Sequence, residues 1–214
     1  TKFEDPITTF IEVKTFFQFN DNLTTLARNT IQNNVNDVIS TYFTNNTGKF
    51  NQSFRRSNLL SLVDASSAAV LSSRQDVKLQ RRFIPTLTAV QDHKLRYAAP
   101  LATPDDVNYR VTSDQFTFGG NECILRNKLN TNKLEVFDTA QNIVVVDNVG
   151  DYSGDTINIV GLRVDAILGG NGFIKLSATP ANQSAVAPLR QDVIRLDGDK
   201  SFTSIVDVED GVIS

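Results

Sequence analysis

The sequence has no methionine and no tryptophan, one cysteine, one histidine and six prolines. Each shortage removes a class of chemistry. With Cys123 alone, no intrachain disulfide can form and no cysteine-only metal site can be built. One histidine and one cysteine would leave the rest of a zinc ligand set to carboxylates, which disfavours zinc. A Ser-His-Asp or Cys-His pair would have to use His93, which lies in an alternating segment with no nucleophile elbow near it. No apolar run approaches the roughly 20 residues that span a bilayer. No basic-then-apolar leader opens the chain, and a start at Thr1 without any methionine reads as a piece of a longer protein.

Other motifs fail on their flanks. Gly169-Gly170-Asn171-Gly172 leads into Phe173-Ile174-Lys175-Leu176, a strand pattern. A phosphate loop needs Gly-Lys-Ser/Thr entering a helix, so a hairpin turn is expected here. Asp151-Tyr152-Ser153-Gly154-Asp155 alternates oxygen ligands, but the twelfth position of that loop is Leu162 instead of glutamate, and a polar turn is expected. The acidic end, with Asp197, Asp199, Asp207, Glu209 and Asp210, reads as solvated carboxylates. Asn-x-Ser/Thr triplets at Asn22, Asn45, Asn51 and Asn182 are a by-product of a chain rich in asparagine. The expected set of catalytic, cofactor and metal residues is therefore none.

What is present is enough to fold. Of the 214 residues, 40% are hydrophobic and 21% charged. The net charge of −3 conceals a split. Residues 1–100 carry 12 Lys/Arg against 8 Asp/Glu, and residues 101–214 carry 9 against 16. Two lobes of one chain that attract each other explain the split, and so do neighbouring subunits meeting positive lobe to negative lobe.

Residues 7–19 alternate, with Ile7, Thr9, Ile11, Val13, Phe17 and Phe19 on one face, as in a half-buried strand. Leu23, Ala27, Ile31, Val35, Ile39 and Phe43 then recur every four residues, which predicts an amphipathic helix capped by Asp21 or Asn22. Gly48 ends it, and Phe50 and Phe54 should seat the connection. A second helix is predicted over 57–64, capped by Ser57, with Leu59, Leu60, Leu62 and Val63 inward. Strands follow near 68–83 and 93–99. After Pro100 and Pro104, short β-type runs at 109–118, 122–127, 133–137, 142–149, 156–164, 172–178 and 191–197 are parted by Gly/Asn/Asp turns. The fold class is α+β: a small sheet with helices on one face over residues 1–100, then a mostly antiparallel β lobe over 101–214.

Arg55-Arg56 and Arg81-Arg82 are the basic pairs. With a pI near 5.2, bulk nucleic-acid affinity is disfavoured. A protein interface built on Arg55, Arg56, Arg81 and Arg82 is one reading. A solvated strand edge guarded by charge is the other.

Three stretches carry a resemblance. The first joins Val35-Asn36-Asp37-Val38-Ile39-Ser40-Thr41-Tyr42-Phe43 to Phe54-Arg55-Arg56-Ser57-Asn58-Leu59-Leu60-Ser61-Leu62-Val63-Asp64. The second is Ala69-Val70-Leu71-Ser72-Ser73-Arg74 leading to Val77-Lys78-Leu79. The third runs from Val149-Gly150-Asp151-Tyr152-Ser153-Gly154 through Thr179-Pro180-Ala181-Asn182 to Pro188-Leu189-Arg190-Gln191-Asp192. Together they resemble the C-terminal part of the baseplate wedge subunit of T4-like contractile-tailed bacteriophages, and the first two the wider J-like baseplate family. The resemblance implies a non-catalytic virion protein of the tail baseplate, assembled in the host cytoplasm. It would self-associate, with a homodimer the commonest closed form. It would join other wedge proteins into the ring around the tail tube, without nucleic acid, membrane or small-molecule substrate. A receptor- or glycan-binding β module of a tail is the alternative; it needs a concave, aromatic-lined site on loops, and few aromatics fall in the turns apart from Tyr152. A tail-associated hydrolase would need two carboxylates facing across a cleft.

Overall fold

A computed structural model describes residues 7–188 and 192–207. In chain order the elements are β1 (Ile7–Phe19), α1 (Arg28–Asn46), β2 (Phe54–Arg55), α2 (Arg56–Asp64) and β3 (Val70–Phe83). Then come β4 (Val90–Arg96), β5 (Val111–Ser113), β6 (Phe116–Phe118), β7 (Asn121–Asn127), β8 (Leu134–Asp138) and β9 (Ile143–Val146). The last are β10 (Gly150–Ser153), β11 (Thr156–Arg163), β12 (Ala166–Ile167), β13 (Ile174–Ala178), β14 (Ala185–Val186), β15 (Asp192–Leu196) and β16 (Phe202–Asp207). This is an α+β protein with a large, mainly antiparallel β part, as the periodicity predicts.

Internal contacts divide the chain into two units: the described residues up to Lys78 together with those from Gln183 onward, and Leu79–Asn182. These boundaries differ from a lobe boundary near Pro100, because the end of the chain returns to the first strand. Among the described residues the charges by unit are 9 Lys/Arg against 9 Asp/Glu, and 10 against 11. The split along the sequence is therefore not a split between these units.

In the first unit, β1 has β3 on one edge. On the other, Ile7–Ile11 pairs in parallel with β15 and Lys14–Phe19 in parallel with β16. Thr9, Ile11, Val13, Thr15, Phe17 and Phe19 are buried, so the predicted alternation holds from Thr9 on except at Glu12, which is buried as well, while Ile7 is half-buried. Helix α1 packs on β15, β16 and α2 through Ile31, Val35, Ile39, Tyr42 and Phe43. It begins later than its spacing predicts. Asn20 Oδ1 accepts from the Asn22 amide at 3.0 Å and Thr24 Oγ1 from the Leu26 amide at 3.1 Å. Those side chains hold the segment in a short 3₁₀ turn and a bend, leaving Leu23 and Leu26 exposed. Phe54 is fully buried and stacks on Phe43 at 5.5 Å, whereas Phe50 is exposed. Helix α2 buries Leu59 and Val63 only, with Leu62 exposed, and Arg55 rather than Ser57 occupies its cap.

In the second unit, β13 lies between the Leu79–Phe83 part of β3 and β5, antiparallel to both. The sheet continues through β7, which pairs with β5, β6 and β8, to β9 at one end and β12 beyond β6. A second sheet has the order β10-β11-β4. Tyr97 is fully buried and donates its hydroxyl to the Leu176 carbonyl at 2.9 Å. Phe116, Cys123, Leu125, Leu134, Val136 and Leu176 fill the core.

Three turn expectations change. Gly150–Ser153 is a strand, so the expected polar turn over 151–155 shrinks to Gly154-Asp155 at the tip of the β10–β11 hairpin. Gly169, Gly170 and Gly172 all have positive φ. They join β12 to β13, which pair with different strands, so the run is a crossing loop and not a hairpin. Part of the acidic end is strand β16, and Asp197 is buried, accepting from the Asp199 amide at 3.1 Å. Leu189, Arg190, Gln191, Glu209 and Asp210 lie outside the described residues, as does the Asp207 side chain.

Candidate functional site

The alternate residues of β1 build the most distinctive surface of the first unit. Period two sends Lys14, Phe16 and Gln18 to the face opposite Val13, Thr15 and Phe17. There the Phe16 ring meets Phe202 of β16 edge-on at 6.3 Å. The Arg74 guanidinium lies 4.3 Å from the Phe16 ring centre and Lys14 Nζ 5.2 Å from that of Phe202. Ser72 Oγ donates to Gln18 Oε1 at 3.1 Å. Burial holds the Lys78 ammonium below its ordinary pKa; Glu12 and Asp76 oppose that shift, while Lys14 and Lys200 reinforce it. Phe202 remains 47% exposed. Cations over partly exposed rings are interface chemistry: each contact is worth roughly 0.5–1 kcal/mol at an exposed site and more once water is removed.

The sequence-predicted arginines divide between the two units. Arg55 is exposed, and its backbone carbonyl and amide bracket the Tyr42 hydroxyl at 3.2 and 3.1 Å. Arg56 Nη1 donates to the Gln75 carbonyl at 3.2 Å and Nη2 reaches Ser184 Oγ at 3.4 Å. Arg81 is half-buried on β3, opposite Leu176. Arg82 Nε donates to Gln80 Oε1 at 3.0 Å, and its guanidinium stands 4.7 Å from the Phe173 ring centre. Arg56 and Arg82 thus already serve their own folds.

The candidate chemistry is dispersed. His93 is half-buried, 4.7 Å from the Phe83 ring, and its Nε2 is enclosed without a hydrogen-bond partner. Burial lowers its pKa against an opposing pull from Asp92. Cys123 is fully buried, and burial, with Asp138 beside it, pushes the thiol pKa up. A low-pKa, accessible thiolate is what a nucleophile needs, and Cys123 is the reverse. Asp105 has its pKa lowered by the Asn108 and Val107 amides first, and pairs with Arg110, which makes it a loop cap. Tyr152 lines a hollow of about 460 Å³ with Leu101, Pro104, Asn130 and Asn132. Its ring is only 3% exposed, so it is no stacking platform for a sugar. Among the described residues, no three His, Cys, Asp or Glu side chains gather where they could hold a metal ion, and no helix is long and apolar enough to cross a membrane.

Sequence reasoning missed the ring-and-cation face. Its signal was the even-numbered side of the first alternation, together with Phe202-Thr203-Ser204-Ile205-Val206, a β-type run overlooked beside acidic residues.

In the first unit a helix-backed sheet thus presents cations beside partly exposed aromatic rings on its other face. Residues 8–82, about a third of the chain, match the family model of the baseplate structural protein gp6, C-terminal domain III. The match runs from β1 to the end of β3 and agrees with the resemblance to a baseplate wedge subunit. No curated protein matches the chain.

Proposed function

We propose that this chain is a non-catalytic structural component of a contractile phage tail baseplate, which self-associates as a homodimer and joins other wedge subunits into the ring around the tail tube. The observation that carries the reading is the match of residues 8–82 to a structural baseplate family. That match supports a baseplate structural role and a place in the virion tail. Self-association, ring contacts and assembly in the host cytoplasm are the finer parts of the proposal. So is an interface use of Arg55, Arg56, Arg81 and Arg82. Of these, Arg55 is best placed, being exposed at the start of α2. Cations beside Phe16 and Phe202 support a contact role for the β1 face, because aromatic residues and arginine are enriched at interface hot spots.

The test is light scattering of the chain across concentration, with pull-down of the other wedge proteins. Concentration-dependent mass and at least one retained wedge protein are expected. A strict monomer that retains none overturns the reading.

A further inference from the structure

The loop between β12 and β13 holds the one Asn-Gly pair of the sequence, Asn171-Gly172. Every other asparagine is followed by a residue that carries a side chain. The difference matters chemically. Asparagine is a thermolabile residue, because the backbone nitrogen of the next residue can attack its side-chain amide. A side chain on that next residue, above all a β-branched one, crowds the approach. Glycine leaves it open.

The fold leaves both reacting groups unrestrained. Gly169, Gly170, Asn171 and Gly172 are all exposed. None belongs to a ladder, since β12 ends at Ile167 and β13 begins at Ile174. Neither the Asn171 side chain nor the Gly172 N–H makes a hydrogen bond with the described residues. Gly172 has φ at +71°, and a β-carbon built on it would meet nothing within 4 Å. Asparagines elsewhere differ on these counts. Asn36 Oδ1 accepts from Thr203 Oγ1 at 2.9 Å, and Asn46 Nδ2 donates to the Tyr42 carbonyl at 2.9 Å. Asn132 Nδ2 donates to the Tyr152 carbonyl at 3.0 Å. Asn142 is exposed, but the β-branched Ile143 follows it.

We propose that Asn171 is a site of spontaneous covalent modification, where the folded chain converts its own asparagine to aspartate and isoaspartate with water as the only co-reactant. The Gly172 nitrogen gives its proton to solvent base and attacks Asn171 Cγ. The new C–N bond closes a succinimide ring. The Cγ–Nδ2 bond breaks, and Nδ2 takes a proton from solvent and leaves as ammonia. Water then adds to either imide carbonyl. Cleavage between the ring nitrogen and Cγ gives aspartate. Cleavage between that nitrogen and the main-chain carbonyl carbon gives isoaspartate, with the backbone rerouted through Cβ. One water is consumed, one ammonia is released, and nothing is oxidised or reduced. Either product adds a negative charge two residues from Phe173, whose ring centre lies 4.7 Å from the Arg82 guanidinium. The inference is independent of the baseplate reading.

Ageing the folded chain in mildly alkaline buffer, then digesting it with trypsin and weighing residues 164–175, tests the proposal. Arg163 and Lys175 bound that peptide, and Asn171 is its only asparagine. It should gain the mass of an NH2-to-OH exchange, resolve into two chromatographic forms, and do so before any other asparagine peptide changes. The rate should rise with pH and stay within a few-fold of that of the same chain in urea. Asn171→Gln should abolish the change, because closure would then need a larger, less favoured imide ring. A native rate below the urea rate by about tenfold or more would mean that local order protects the loop, and overturns the proposal. Earlier conversion of another asparagine, or an Asn171→Gln chain that gains the same mass at the same rate, overturns it as well.

Discussion

Replacing Gly150 by alanine should unfold this protein more readily than any other single-methyl insertion at its turns. Gly150 opens β10 opposite Ile159 of β11, with φ at +130°. A β-carbon there would fall on the Asn158 carbonyl oxygen and within 3.1 Å of Ile159 Cα. Both neighbours are backbone, so no side chain can swing aside. Strained backbone conformations of this kind cost roughly 1–3 kcal/mol. Displacing the strand would also forfeit one or two ladder hydrogen bonds at about 1 kcal/mol each. The expected loss is thus about 2–5 kcal/mol, a sizeable share of a typical stability of roughly 5–15 kcal/mol. For a chain of this length that is a fall of about 4–20 °C in melting temperature. Gly154→Ala is the matched control: φ is +59°, yet nothing lies within 4 Å of the added carbon, so only the left-handed cost of about 1–2 kcal/mol applies. Urea and thermal denaturation followed by far-UV circular dichroism would measure both. If Gly150→Ala were no more destabilised than Gly154→Ala, the backbone collision would be wrong.

Phe54→Ala removes a fully buried ring stacked on Phe43 and set edge-on to Tyr42, and should cost about 3–5 kcal/mol in the same denaturation assay. The enclosed Nε2 of His93 has no partner, so His93→Phe should be within about 0.5 kcal/mol of the native chain, or more stable. Because burial lowers the His93 pKa, the unfolded chain binds more protons below its ordinary value of 6.5; stability falls as pH drops through that window, and His93→Phe should flatten the fall. Lys78, also lowered by burial, gives the same sign higher up: stability rises with pH between its folded pKa and 10.5, a slope that Lys78→Met should remove in a pH series of melts. Cys123 should resist a thiol reagent at pH 8 and react at once in urea; full labelling of the native chain within minutes would contradict its burial.

Local signals were legible where one residue's neighbours along the chain decide its environment. The alternation of 7–19 specified β1, its buried face and its polar face together. The four-residue recurrence of Ile31, Val35, Ile39 and Phe43 specified the buried stripe of α1. Gly119-Gly120 stands at the tip of the β6–β7 hairpin, where both residues have positive φ. The start of α1 was misread because spacing counts Leu23 as part of the stripe, whereas Asn20 and Thr24 withdraw the backbone from the helix. The four arginines could be named from the sequence, but the intrachain partners of Arg56 and Arg82, Gln75 and Phe173, lie far from them along the chain.

By itself, the sequence determined the α+β class, the main strands and helices, and the lack of the residue types that histidine- or cysteine-based chemistry requires. These follow from composition and short-range periodicity. Only the tertiary structure decided which strands pair. Parallel addition of β15 and β16 to β1 joins residues nearly 200 positions apart, and no local pattern encodes that return. The return brings acidic residues of the chain's end into the same unit as the basic first part, so the charge split along the sequence does not survive in the contact units. It also sets Phe202 against Phe16. The sheet order, separately, leaves β9 with β8 as its one strand neighbour among the described residues, because an exposed edge is a property of the sheet and not of the strand.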